Sequence, residues 1–274
     1  MILHAGDWAY NFDSDNSANG NFFMTRAETY STAYPVQPAP GNHEASANFT
    51  EYKVRHSGVA ANSNSQTAMF YSMEVRAGTP QGVHFLAFNS ETYVDGGIAE
   101  MLNFMKADLA AVDRARTPWV VAFSHKHWWM DSTDFSALSG ILQDGGVDFL
   151  FAGHWHYYQR LAPLFPGTTP WQVDAACLSD GNHTARDCKF THMIVSGAIG
   201  DVERNDNCPG QANLVPVTTA CSSAYGYGVL TVVSATESTW NFTAWTTPIG
   251  SAAAAAPPVD YVDTYTVLRS APPA

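Results

Sequence analysis

Positive charge is what this chain has least of: 13 lysines and arginines stand against 25 aspartates and glutamates, a formal net charge of −12 over 274 residues. A surface of that sign repels nucleic acid, and no basic run offers a local exception. It repels phosphate esters as well, so a substrate of that class needs a local cation, which bound metal can supply. Long apolar runs are also missing. No stretch reaches the roughly 20 residues of a membrane span, and no leader-like segment opens the chain. Met1-Ile2-Leu3-His4-Ala5 instead runs straight into Gly6-Asp7, like a strand entered in its middle, so an upstream segment carrying any leader is expected.

Cysteine is scarce. Cys177, Cys188, Cys208 and Cys221 all lie in the last third and form no C-x-x-C pair, which argues against a structural zinc knuckle. Three disulfide connectivities are formally open, and the local pairs Cys177–Cys188 and Cys208–Cys221 are the expected ones. Sequons stand at Asn48-Phe49-Thr50, Asn182-His183-Thr184 and Asn241-Phe242-Thr243. With the cysteines they point to a secreted glycoprotein, or at least to an oxidising, non-cytosolic compartment.

What is present is core. Hydrophobic residues make up 46% of the chain, enough to exclude disorder and to fill one large domain or two small ones. Apolar runs with strand character occur at Ile2–Ala5, Met69–Val75, Val83–Asn89, Trp119–Ser124, Phe149–Ala152, His192–Ser196, Tyr227–Val233 and Trp240–Trp245. Ile98, Met101, Leu102, Met105, Leu109 and Val112 recur at spacings of three and four, the stripe of an amphipathic helix. A shorter helix is expected from Phe135 to Leu142, ended by Gly145-Gly146. Strands alternating with helices, then strands alone, indicate an α/β sandwich of two sheets. Asn11–Asn21, Ala60–Thr67 and the long stretch Leu161–Lys189 read as irregular. The domain is expected over 1–249, with a low-complexity tail over 250–274 containing Ala252–Ala256 and Pro257-Pro258.

Four short segments carry chemistry: Gly6-Asp7-Trp8-Ala9-Tyr10, Gly41-Asn42-His43-Glu44, Val121-Ala122-Phe123-Ser124-His125 and Gly153-His154-Trp155-His156. Ligands of open α/β sheets gather at the carboxyl ends of strands, and a preceding glycine lets the backbone turn sharply toward an ion. Carboxylate, amide oxygen and imidazole without thiolate suit borderline or harder metals. Asp7 can bridge two ions through its two oxygens. A phenol with a free pKa of about 10 gives up its proton only to a strongly acidic ion, so Tyr10 points to ferric iron. Taken singly, each residue has an ordinary reading: a turn aspartate, a core tyrosine, a structural histidine. Together, in this order, they form a site.

The four blocks resemble those of purple acid phosphatases within the metallophosphoesterase superfamily, whose pattern is G-D-x-x-Y, G-N-H-[ED], V-x-x-H and G-H-x-H. The likeness runs from Leu3 to Trp245 and includes Thr117-Pro118-Trp119 and Tyr225-Gly226-Tyr227-Gly228. It implies the metallophosphoesterase α/β fold, a two-sheet sandwich flanked by helices. It further implies that Asp7 bridges two ions, that Tyr10 and His156 bind Fe(3+), and that Asn42, His125 and His154 bind a divalent iron, zinc or manganese. His43 then faces the substrate phosphate and steadies its charge or protonates the leaving oxygen, while a metal-bound hydroxide attacks phosphorus.

Three departures qualify the likeness. The family's further aspartate ligand precedes the Gly6-Asp7 block and is expected upstream of Met1. The fourth block continues Tyr158-Gln159-Arg160 where the family has Y-E-R, and His127 is the nearest counterpart of an additional substrate-contacting histidine. The expected activity is hydrolysis of small phosphoric monoesters at acid pH. The alternatives are a phosphodiesterase or pyrophosphatase on the same site, or a metal-binding fragment without turnover.

Overall fold

The apolar runs become the strands of two facing sheets. The structure, a computed structural model, describes residues 1–91, 97–127, 135–165, 172–200, 206–209, 212–244 and 260–271. Its longer strands are β1 (Ile2–Ala5), β2 (Val36–Ala39), β3 (Tyr71–Val75), β4 (Val83–Ala87), β5 (Trp119–Phe123), β6 (Phe149–Ala152), β7 (Tyr158–Leu161), β8 (His192–Ser196), β9 (Thr218–Ser222), β10 (Gly226–Ser234), β11 (Glu237–Ala244) and β12 (Asp260–Leu268). The helices are α1 (Ala18–Ser31), α2 (Ser46–Arg55), α3 (Ser57–Asn62), α4 (Ile98–Ala110) and α5 (Phe135–Asp144). None is long and apolar enough to cross a membrane, among the described residues.

One sheet has the order β9-β7-β8-β6-β5-β4-β3. Its centre, β4, β5, β6 and β8, is parallel. Every residue of β4, β5 and β6 is buried, which is why these strands read as apolar runs, broken only by His84 in β4. Alternate residues serve two cores. Val120, Ala122, Leu150 and Val195 face Met101, Met105 and Leu109 of α4 and Leu138 and Leu142 of α5. Val121, Phe123, Phe149 and Phe151 face Trp240, Phe242, Tyr265 and Val267 of the second sheet. That sheet runs Leu178–Ser179, Thr184–Arg186, β12, β11, β10. The chain is thus layered helix, sheet, sheet, the sandwich read from the sequence. β1 and β2 form a separate parallel pair, Ile2 opposite Val36.

Three elements were not expected. Ala18–Ser31 is helical where only its beginning was covered by a loop expectation, because its apolar side chains form no clean stripe. β2 contains Pro38, which a pair with open outer edges tolerates. The tail expectation needs correcting over 260–268: β12 pairs antiparallel with β11 along its length. Its inner face holds Asp263, Tyr265 and Val267, and an aspartate at the centre of that face disguised the strand. Asp263 takes Arg160 in a two-pronged contact, Nε to Oδ2 at 2.7 Å and Nη2 to Oδ1 at 2.9 Å, and accepts the Tyr158 hydroxyl at 2.5 Å. The polar end of β7 therefore clamps the second sheet onto the first. Trp245 and the stretch Ala252–Pro258 lie outside the described residues.

Both expected disulfides form, Cys177–Cys188 and Cys208–Cys221. Two buried histidines set an acid limit on this fold. Burial, with Arg269 and Arg160 nearby, lowers His192 to about 3, and its Nδ1 meets the Tyr265 hydroxyl at 2.8 Å. Burial and Arg55 lower His56 to about 4 among the rings of Trp8 and Tyr52. Between pH 6.5 and 4 these two histidines bind protons in the unfolded chain that they refuse in the folded one, so their contribution to stability falls as pH falls. The slope they contribute approaches about 2–3 kcal/mol per pH unit. Urea midpoints at pH 7.5, 6 and 5 check this. Equal midpoints would contradict it.

Candidate metal site

The four chemistry-bearing segments leave β1, β2, β5 and β6; pairing sets the carboxyl ends of β1 and β2 side by side, and likewise those of β5 and β6, and the contact of His125 with the Ala5 carbonyl joins the two pairs. The Gly153 N–H donates to the His125 carbonyl at 2.8 Å, which ties the loop after β6 to the loop after β5. Glycine is required where these loops touch. A Cβ on Gly6, at φ 82°, would sit 2.6 Å from His125 Nδ1 and 2.8 Å from Gly41 Cα, and one on Gly41 would collide with the Asp7 carboxylate. Asp7, Tyr10 and His154 all adopt the left-handed region, at φ 53°, 47° and 63°. Non-glycine residues avoid it, and such conformations persist only where surrounding contacts impose them.

His125 is the hub. It is buried, and its Nδ1–H donates to the Ala5 carbonyl at 2.7 Å. A carbonyl only accepts, so in the neutral ring this contact fixes the tautomer and gives Nε2 the lone pair. Around Nε2 stand Asn42 Oδ1 at 2.9 Å, His154 Nδ1 at 3.0 Å and Asp7 Oδ2 at 3.0 Å. Burial alone lowers His125, but Asp7 outweighs it and the net direction is upward. Burial would raise the Asp7 carboxyl, yet His125 and the His43 N–H hold it low. His154 is pushed down to about 3 by burial and by His125, so its lone pair stays free.

Tyr10 and His156 meet beside this cluster, hydroxyl to Nε2 at 2.5 Å. The His43 ring stacks on Tyr10 with centroids 4.0 Å apart, its backbone N–H donates to Asp7 Oδ1 at 3.0 Å, and its Nδ1 lies 3.1 Å from Asn11 Oδ1. Asp7, Tyr10, Asn42, His43, His154 and His156 line one open cleft of about 350 Å³, with Trp155 and Asp206 completing its wall. His127 does not line it. That ring is buried edge-on against Trp155, 3.9 Å between centroids, and burial drives its pKa well down. His4 stacks on Trp8 at 3.8 Å, also outside the cleft. Trp128, Trp129, Asp131 and Asp134 lie outside the described residues.

Two residues escaped the sequence reading. Glu44 ends the Gly41–Glu44 block, and the sequence alone assigns it no role. It is buried, and its carboxylate accepts the N–H groups of Asp7, Trp8 and Gly41, each at 2.8 Å. Burial and the charge of Asp7 push it up to about 7 against those hydrogen bonds. It holds the strained turn that aims Asp7, and a motif glutamate after a histidine could have signalled that. Asp206 had no signal at all.

These residues fit metal. Ligand atoms of Asp7, His125 and His154 lie within 4.8 Å of one another. Two oxygens and two ring nitrogens face each other with too few protons among them, a concentration of lone pairs that a cation satisfies. A phenol and an imidazole stand ready beside it.

A profile of calcineurin-like phosphoesterases matches residues 1–158. Acid phosphatase type 7 of Mus musculus is 28% identical over 189 residues, covering 60% of this chain and 41% of that one. Purple acid phosphatase 21 of Arabidopsis thaliana is 31% identical over 153 residues, covering 50% and 34%. The chain thus spans under half the length of these relatives. The structure of a purple acid phosphatase from yellow lupin seeds superimposes with a TM-score of 0.71 at 16% identity, covering 98% of this chain and 46% of that chain.

Proposed function

The chain belongs to the calcineurin-like phosphoesterase family, and from that premise we propose that it is a metal-dependent acid phosphatase that hydrolyses phosphoric monoesters in the cleft at Asp7. The observation that carries the reading is the convergence of Asp7 Oδ2, Asn42 Oδ1 and His154 Nδ1 on His125 Nε2, all within 3.0 Å. Asn42, His125 and His154 would hold a divalent iron, zinc or manganese, Tyr10 and His156 would hold ferric iron, and Asp7 would be a ligand available to either. When bound, two such ions neutralise the substrate phosphate and acidify water.

The chain's own residues orient and protonate. His125 is locked by Ala5, so its lone pair cannot turn away. His43, steadied by Tyr10 and Asn11, faces the phosphate and holds a proton for the departing oxygen. Among the described residues no lysine or arginine lines the cleft wall, so ions are the source of positive charge that the acidic surface cannot offer. The two disulfides suit a secreted or other oxidising setting.

The test is p-nitrophenyl phosphate hydrolysis by protein loaded with iron and zinc, then stripped by chelator and reloaded. Turnover should vanish and return. A fully loaded chain that hydrolyses nothing would sink the proposal. In the iron-loaded protein Tyr10→Phe should remove the visible phenolate-to-iron absorption while the far-UV circular dichroism stays unchanged. Persistence of that absorption would reassign the ferric ligand.

A further inference from the structure

Asp206 is a carboxylate that the proposed chemistry does not use, standing in the wall of the phosphate cleft. It is exposed yet held in place. Its backbone N–H donates to the His156 carbonyl at 2.9 Å, and its Oδ2 accepts the His156 N–H at 3.3 Å. Two residues later Cys208 is bonded to Cys221 of β9, and its N–H donates to Ser223 Oγ at 3.0 Å. The short segment 206–209 is therefore fastened to the rigid sheet on one side and to the His156 loop on the other. A carboxylate held this way stays at one point of the wall.

The location has a consequence for substrate choice. The phosphoryl group being cleaved is the part drawn in by ions, and a leaving group that runs along the wall from His156 meets Asp206. Among the described residues, no lysine or arginine lines the cleft to offset that charge. A second phosphoryl group there faces like charge, whereas an ammonium group finds a partner. We propose that Asp206 is a specificity residue, favouring monoesters whose leaving alcohol carries a positive charge and excluding pyrophosphate and other polyphosphates. The inference rests on the hydrolase reading above, and it places the pyrophosphatase alternative at a disadvantage.

The experiment compares wild type, Asp206→Asn and Asp206→Glu with three probes: O-phosphoethanolamine, p-nitrophenyl phosphate and inorganic pyrophosphate. kcat/KM is measured for each, and binding of phosphoethanolamine and pyrophosphate to the metal-loaded proteins is followed by calorimetry. In Asp206→Asn the ratio of kcat/KM for pyrophosphate to that for phosphoethanolamine should rise roughly tenfold or more, through KM rather than kcat, with the same shift in the binding ratio. Asp206→Glu should keep the wild-type ranking. A uniform change across all three probes, or an unchanged ratio, overturns the role of Asp206. If no protein turns over any probe, the hydrolase reading fails, and the calorimetric ratio still decides whether Asp206 selects by charge.

Discussion

Asp7→Asn is expected to lower phosphomonoester turnover by more than about a hundredfold while leaving the fold intact. The bound on the loss follows from comparison with outer partners, whose removal alone typically costs about 10–100-fold in metal affinity or activity. Asp7 is proposed to touch both ions, so its loss must exceed that. Asparagine keeps the shape and one acceptor, so the His43 N–H contact to Oδ1 can survive. What disappears is the charge that offsets the burial of His125. Metal content after dialysis and kcat for p-nitrophenyl phosphate check the prediction. A variant that retains two tightly bound ions and wild-type kcat would remove Asp7 from the centre of the account.

Glu44→Ala is expected to damage stability and metal binding together. The removed carboxylate leaves the N–H groups of Asp7, Trp8 and Gly41 without their acceptor. A buried donor left unsatisfied costs about 1–3 kcal/mol, and water entering the vacated space recovers part of that. A net loss of about 3 kcal/mol is therefore expected from three donors. The left-handed turn at Asp7 loses its clamp, so metal affinity should fall about 10–100-fold besides. Glu44→Gln should fall between wild type and alanine, because one amide oxygen replaces two carboxylate oxygens and the NH2 confronts a backbone donor. Urea denaturation and competitive metal titration measure the two effects. A stability change under about 1 kcal/mol with unaltered affinity would show that the turn holds itself.

The same two residues show what a sequence can disclose. Asp7, Asn42, His125 and His154 were legible as neighbours because each follows an apolar strand or a glycine, and strand ends place such residues on one edge; His156 comes with His154 two residues before it. Tyr10 was legible for its chemistry, since phenol beside carboxylate and imidazole is an unusual set. Glu44 stands next to them in the sequence, but its role depends on N–H groups up to 37 positions away, and periodicity does not reveal where a loop folds back. Asp206 is further still from legibility: a disulfide and a backbone contact to His156 bring it into the cleft. Parallel strands β4, β5 and β6 announced themselves as apolar runs, whereas β12 hid an aspartate inside its buried face. That aspartate makes sense only with Arg160 opposite it. His127 shows the reverse error. A histidine beside the third block looked ready to meet substrate, and burial against Trp155 gives it a supporting place instead.

The lone pairs gathered around His125 are, on this reading, there to hold metal. Anomalous diffraction from crystals of the zinc- and iron-loaded protein tests it directly. The predicted result is a peak about 2.0–2.2 Å from Asp7, Asn42 Oδ1, His125 Nε2 and His154 Nδ1, with a second between Tyr10 and His156 at about 3.5–4 Å from the first. Metal-saturated crystals with no peak there, and the four atoms still at their mutual hydrogen-bond distances, would contradict it.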